Sequence, residues 1–256
     1  MARVSLSGPE LRVIGVGGLP EVGRGADLAA LIHQAAEGQG PPLEAGDIVV
    51  VTQKIVSKAE GRTVALADVE PGPEAVRLAA ETGKEPQLVE LILRESRRIV
   101  RQAGPVLITE TRHGFVCANA GIDASNVGQG VVSLLPEDPD ASAAAIRAGL
   151  RQRTGLLLPV VISDTFGRPW REGHTNVAVG LAGMALFADY VGQTDPHGYE
   201  LRVSSLAVAD ELAAAAELVM GKLSGVPVAI VRGYDYPEGC GTARDIVRPP
   251  ERDLFR

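Results

Sequence analysis

An acidic residue closing an apolar run, followed by a hydroxyl and then by two arginines, is the residue set that a metal ion and a phosphate group require together. Residues 160–176, Val-Val-Ile-Ser-Asp-Thr-Phe-Gly-Arg-Pro-Trp-Arg-Glu-Gly-His-Thr-Asn, carry that order. Asp164 and Thr165 offer hard oxygen ligands to a divalent cation, and Arg168 and Arg171 offer planar donors to a phosphate or carboxylate. An unpaired Asp164 at the end of a buried strand would be costly, so the acid either binds something or caps the segment that follows. His174 reads as structural, Cys117 as a small core residue and Trp170 as a packing anchor.

Three other segments carry chemistry. Residues 17–25, Gly-Gly-Leu-Pro-Glu-Val-Gly-Arg-Gly, lie between an apolar run and a helix that opens near Asp27. Such a loop lets backbone approach an anion at a helix N-terminus, although it is equally an ordinary strand-to-helix turn. Residues 52–62, Thr-Gln-Lys-Ile-Val-Ser-Lys-Ala-Glu-Gly-Arg, put two lysines and a serine just past the apolar run 47–51. That is where α/β sheets bind anionic ligands, and a solvated charge cluster is the alternative. Residues 119–126, Asn-Ala-Gly-Ile-Asp-Ala-Ser-Asn, follow another apolar run. Asp123 suits Mg²⁺ or Mn²⁺ and Asn126 a base or sugar, while the same residues also favour an Asx-type turn.

The elements that must position these residues follow from periodicity. Apolar runs at 11–16, 47–51, 105–109, 114–118, 156–163 and 226–232, bounded by Gly, Pro or Asp, predict buried strands. Leu28, Leu31, Ile32 and Ala35 share one face of a helix. A second helix is predicted from Pro86 through Leu88, Leu91, Ile92 and Ile99, with Glu90, Arg94, Arg97, Arg98 and Arg101 on its solvated side, and further helices over 142–153 and 206–223. Strands and helices mix along the chain, which makes the class α/β, or α+β mixed, with room for two interleaved subdomains.

Composition narrows the function. The 256 residues are 45% hydrophobic and 22% charged, as expected of a folded chain, and a net charge of -7 excludes a general nucleic-acid binder. Two cysteines, Cys117 and Cys240, give neither a disulfide scaffold nor a cysteine-rich zinc site. No signal peptide and no apolar run of membrane-spanning length is present, so the expected location is cytoplasmic, with no membrane partner. Neither Gly-Lys pair, 83–84 or 221–222, sits in a P-loop; the glycine fingerprint of dinucleotide folds and the His-Glu-x-x-His zinc motif are absent too. From the residues alone the reading is an anion-binding, metal-dependent α/β enzyme. A metal-dependent nucleotide or phosphoester hydrolase would use the same acidic site, whereas a pure binding module has no need of two carboxylates.

Taken in order, four segments resemble the coenzyme F420-0:L-glutamate ligase family: Gly-Leu-Pro-Glu (18–21), Val-Ser-Lys-Ala-Glu-Gly-Arg (56–62), Ala-Gly-Ile-Asp-Ala-Ser-Asn-Val (120–127) and Ser-Asp-Thr-Phe-Gly-Arg-Pro-Trp-Arg (163–171). Residues 195–201, 208–211 and 221–227 are similar to the family as well. The resemblance implies the family's fold of mixed sheets and flanking helices, as a single ligase domain over 1–256 without the FMN-binding reductase-like domain some relatives carry. It implies a GTP-dependent ligase that adds L-glutamate to F420-0, extends a γ-linked tail through an acyl phosphate, and works as a homodimer. Its cofactors would be two Mg²⁺ or Mn²⁺ ions, with a monovalent cation such as K⁺ beside them. By position, Leu19, Pro20, Glu21, Val22, Gln53, Lys58 and Asn126 would contact GTP, and the loop from Met220 through Gly221 and Lys222 would close over it. Asp123 and Asp164 would hold one metal and Thr165 a second. Some relatives carry an acidic metal ligand where Lys222 stands, so this lysine is also a candidate phosphate contact. Lys58, Arg168 and Arg171 are the expected catalytic side chains.

Overall fold

The structure, a computed structural model, describes residues 8–38, 40–125 and 127–253. Its centre is a five-stranded mixed sheet built from β1 (Arg12–Val16), β2 (Ile48–Thr52), β8 (Val160–Arg168), β9 (Arg171–Ala182) and β12 (Val228–Arg232). Their spatial order is β1-β12-β2-β8-β9, and β2 and β8 run parallel while every other neighbouring pair is antiparallel. Residues 48–51, 160–163 and 228–231 are wholly buried, so both faces of the sheet are covered, which explains their continuous apolar character. The long helices α1 (Leu28–Gly38), α5 (Pro139–Thr154) and α6 (Val208–Met220) supply that cover: α5 packs on β8, β9 and α1, and α6 on β9, β1 and β12. Two contacts demand glycine there. A Cβ on Gly149 would meet the Ala29 methyl at 2.5 Å, and one on Gly180 the Pro139 carbonyl oxygen at 2.4 Å.

Between the short α2 (Gln53–Glu60) and α5, the chain leaves the sheet and builds two smaller apolar clusters of its own. This segment contains β3 (Thr63–Ala65), α3 (Pro73–Thr82), α4 (Pro86–Arg94), β4 (Ser96–Ala103), β5 (Val106–Thr111), β6 (Val116–Ala118) and β7 (Val131–Ser133). β4, β5 and β6 form an antiparallel meander, and β3 pairs with β7. The two-residue strands β10 (Ala188–Asp189) and β11 (Ser205–Leu206) close a surface loop ahead of α6. No helix among the described residues is long and apolar enough to cross a membrane.

Three sequence expectations change. The helix from Pro86 stops at Arg94, and Arg97, Arg98 and Arg101 lie on β4: Gly104-Pro105 supplies a tight turn, and β-branched Ile99 and Val100 favour the hairpin with β5. The helix expected over 206–223 runs Val208–Met220, because Gly221 takes φ 58°, ψ -176° and ends it. Trp170 is no packing anchor, being 79% exposed in the turn between β8 and β9.

Candidate functional site

The parallel pairing of β2 with β8 ends where Thr52 lies opposite Ser163, and charge follows on both sides, Asp164 next along β8 and Lys54 two residues beyond Thr52. The carboxyl ends of a parallel pair form the usual ligand crevice of open α/β sheets. From β2 the chain turns at once into α2, which carries Lys54 and Lys58 one turn apart and therefore on one face. From β8 it continues to Asp164 and Thr165. An extra residue on β9, Val179, lies opposite the Ile162/Ser163 junction, so that Thr165 comes to face Asn176.

The second acid arrives from the inserted segment. Asn119, Ala120 and Gly121 all have positive φ (52°, 56° and 70°), a left-handed turn that is costly for the first two. Beyond it the backbone of Asp123 exchanges hydrogen bonds with Ser133. The Asp123 carboxylate accepts from the Ser125 amide and hydroxyl at 2.7 and 3.0 Å and pairs with Lys54 at 2.9 Å. These donors and the lysine hold its pKa below the ordinary value in spite of burial.

Asp164 behaves in the opposite way. Burial, reinforced by the negative charge of Asp123, pushes its carboxyl up to about 7, although a backbone hydrogen bond from Thr165 and the charges of Lys222 and Lys54 oppose the shift. The neighbouring Cys117 thiol is raised to about 12 by burial and by Asp164. No ion pair reaches Asp164 among the described residues. Of these two neighbouring acids, only Asp123 is ion-paired among the described residues. The described residues contain no group of three or more His, Cys, Asp or Glu able to cage a metal unaided. A Mg²⁺-type ion asks for less, since one or two carboxylates with substrate phosphates and water complete its shell.

Along α2 the site opens into a cavity of about 520 Å³ lined by Glu21, Val22, Arg24, Lys58, Thr63 and Val127, among others. Lys58 ion-pairs with Glu21 at 2.5 Å, and the Gly25 amide donates to the Ala59 carbonyl, which straps the glycine-rich loop onto α2. Of the residues expected at the nucleotide, Glu21, Val22 and Lys58 line this cavity, and Pro20 is exposed beside it in sequence. Leu19 packs against the main core instead. Gln53 is buried beneath, its side chain accepting from Ser57 while its amide nitrogen has no partner among the described residues. Asn126 lies outside the described residues.

Thr165 belongs to a network that motif reading missed. Its hydroxyl meets Asn176 Oδ1 at 2.6 Å, and Asn176 donates to Glu217 at 2.9 Å. Lys222 reaches Thr165 Oγ1 and ion-pairs with Glu217 at 3.1 Å. Met220, expected at the nucleotide, is instead wholly buried as the last residue of α6, and only Gly221 and Lys222 of that trio are exposed. Glu217 sits in an Ala-rich helix with no motif to flag it. Arg168 and Arg171 are not drawn to the acids. They pair at the far end of the β8–β9 hairpin, roughly 13 Å of strand beyond Asp164, and Arg168 donates to the Glu172 carbonyl at 2.7 Å.

Residues 17–233 match the family described as F420-0:gamma-glutamyl ligase. The chain is 50% identical to the coenzyme F420:L-glutamate ligase of Methanothermobacter thermautotrophicus over 249 residues, 96% of this chain and 99% of that one. It is 47% identical to the enzyme of the same name from Methanopyrus kandleri, over 97% of this chain and 98% of the relative. The Methanocaldococcus jannaschii enzyme of that name is 44% identical over 84% of this chain and 86% of its own.

Proposed function

The chain belongs to the F420-0:gamma-glutamyl ligase family, and from that premise we propose that it joins L-glutamate to coenzyme F420-0 at the expense of GTP, as a cytoplasmic homodimer. The observation that carries the reading is the junction of two unlike sites along one face of α2. At one end Lys54 holds Asp123 beside Asp164, and about one helical turn on, Lys58 lines a cavity of about 520 Å³ together with Arg24 and Glu21.

A carboxylate is an unreactive acyl donor at neutral pH, so amide formation requires prior activation. An oxygen of the F420-0 carboxylate attacks the γ-phosphorus of GTP and GDP leaves, giving an acyl phosphate. The glutamate amine then attacks the acyl carbon, the C–O bond to phosphate breaks, and the amine proton passes to solvent or to the departing phosphate. Lys58, released from Glu21, would carry positive charge to the phosphates, and the glycine-rich loop would offer backbone amides. Asp123 and Asp164 would hold a divalent cation, which supplies charge neutralisation for the transferring phosphoryl group when bound. Lys54 keeps Asp123 ionised and aimed at that position. Arg168 and Arg171, out on the hairpin, are suited to the far end of an acidic substrate that protrudes from the crevice.

Mass spectrometry of F420-0 incubated with the protein, L-glutamate, GTP and Mn²⁺ tests this reading. Stepwise gains of one glutamyl unit that require GTP are expected. Consumption of GTP with the deazaflavin unchanged would replace ligation by hydrolysis.

A further inference from the structure

Thr165 is where family resemblance would set a second divalent ion, and the donor set there does not suit one. A metal ion needs lone pairs directed at it, yet the position between Thr165 Oγ1 and Glu217 is taken by the Lys222 ammonium, which touches the hydroxyl and ion-pairs with Glu217 Oε1 at 3.1 Å. The other oxygens nearby are already engaged. Asn176 Oδ1 accepts from Thr165, and the second Glu217 oxygen accepts from Asn176 Nδ2 at 2.9 Å. Lys222 also lies close enough to Asp164 to oppose the rise in its pKa. Lys54 serves the other acid, pairing with Asp123 at 2.9 Å.

We infer that Lys222 is the second cation of this site, so that the chain works with one divalent ion, held by Asp123 and Asp164, and one covalently attached ammonium. The inference rests on the ligase reading above but concerns a different count. A like charge a few ångströms away repels a second divalent ion, and an ammonium offers no lone pair to bind it. Glu217 and Asn176 act as positioning residues, the first holding the Lys222 ammonium and the second orienting Thr165 and Glu217 together. Lys222 stands on the exposed segment after α6 with a 63% exposed side chain, so replacing it leaves the core untouched.

The test is the number of Mn²⁺ ions retained per bound nucleotide, measured by equilibrium dialysis with a non-hydrolysable GTP analogue and by the electron paramagnetic resonance of spin-coupled manganese. Wild type should hold one Mn²⁺ with no coupled signal, and Lys222→Glu, which converts the ammonium into a ligand beside Glu217 and Thr165, should hold two and show coupling. Two ions in wild type, or one in both proteins, overturns the inference. The ligase reading fails separately, in the glutamylation assay above, while Asp164→Asn should lose the single ion. A wild type that binds the analogue but no Mn²⁺ at all would remove the acidic-pair assignment, and this inference with it.

Discussion

Asp47 and Asp164 both flank fully buried strands of one sheet, and they are treated in opposite ways. Asp47, wholly buried ahead of β2, receives two bonds of 2.7 Å from Arg232, whose guanidinium also reaches Glu44 and the Pro42 carbonyl. Asp164, beyond the buried part of β8, has no guanidinium and faces another carboxylate. A buried charge that is fully paired locks β2 to β12 at one end of the sheet. A charge left short of its partner at the other end is a place for a ligand.

Substitution at both positions should separate these roles. Asp164→Asn is expected to abolish ligation, a fall in turnover of at least about 10²-fold, while the metal-free protein above pH 7 melts no lower than wild type. Glutamyl addition and thermal unfolding of the variant decide it, and retained turnover removes Asp164 from the site. Asp47→Ala should do the reverse, costing about 3 to 5 kcal/mol in urea unfolding because Arg232 loses its buried partner, with kcat changed little at a temperature where the variant is folded. Lys58→Ala lies between them: about 1.5 to 3 kcal/mol of GTP affinity, roughly 10- to 150-fold in Kd by calorimetry, with the fold intact.

The smallest expected effect is in pH dependence. The Asp164 pKa is raised from 3.8 to about 7, so between those values the folded protein binds a proton that the unfolded chain releases. Metal-free stability should therefore decline from about pH 4.5 towards pH 7, once the carboxylates with lowered pKa have ionised. Asp164→Asn should flatten that slope and Asp47→Ala should leave it. An equal slope in wild type and Asp164→Asn would mean that another group carries the titration.

Much of this asymmetry was legible from residues. The apolar runs at the heart of β2, β8 and β12 are buried on both faces, and a run of that kind can be little else. Asp164 and Lys58 were found because each follows such a run within a few residues. The approach of Asp123 to Asp164 could not be read from spacing, since the acids lie on different parts of the fold and meet only through the inserted segment. Arg168 and Arg171 read as catalytic donors to phosphate or carboxylate from their nearness to Asp164 in sequence, but β8 and β9 run on as a hairpin that carries them away from it. Arg97, Arg98 and Arg101 fit a helical face, and only the turn at Gly104-Pro105 and the pairing with β5 override that period. Glu217 and Asn176 act through cross-element contacts that no local pattern announces.

The extra residue at Val179 also sets the phase of the strand that contains it. Side chains alternate along a strand with period two, so a rigid β9 would tie the inward positions of its core half to the inward positions of its site half. Ile162 opposes Gly180 and Ser163 opposes Ala178, and the alternation is thereby restarted between the stretch from Gly180, which packs the core, and the stretch ending at Ala178, in which Asn176 faces Thr165 and Glu217. Selection can therefore retune the packing of one half without rotating the Thr165–Asn176 pair out of register. The bulge acts as a joint between two independently adjustable sequences on one continuous strand.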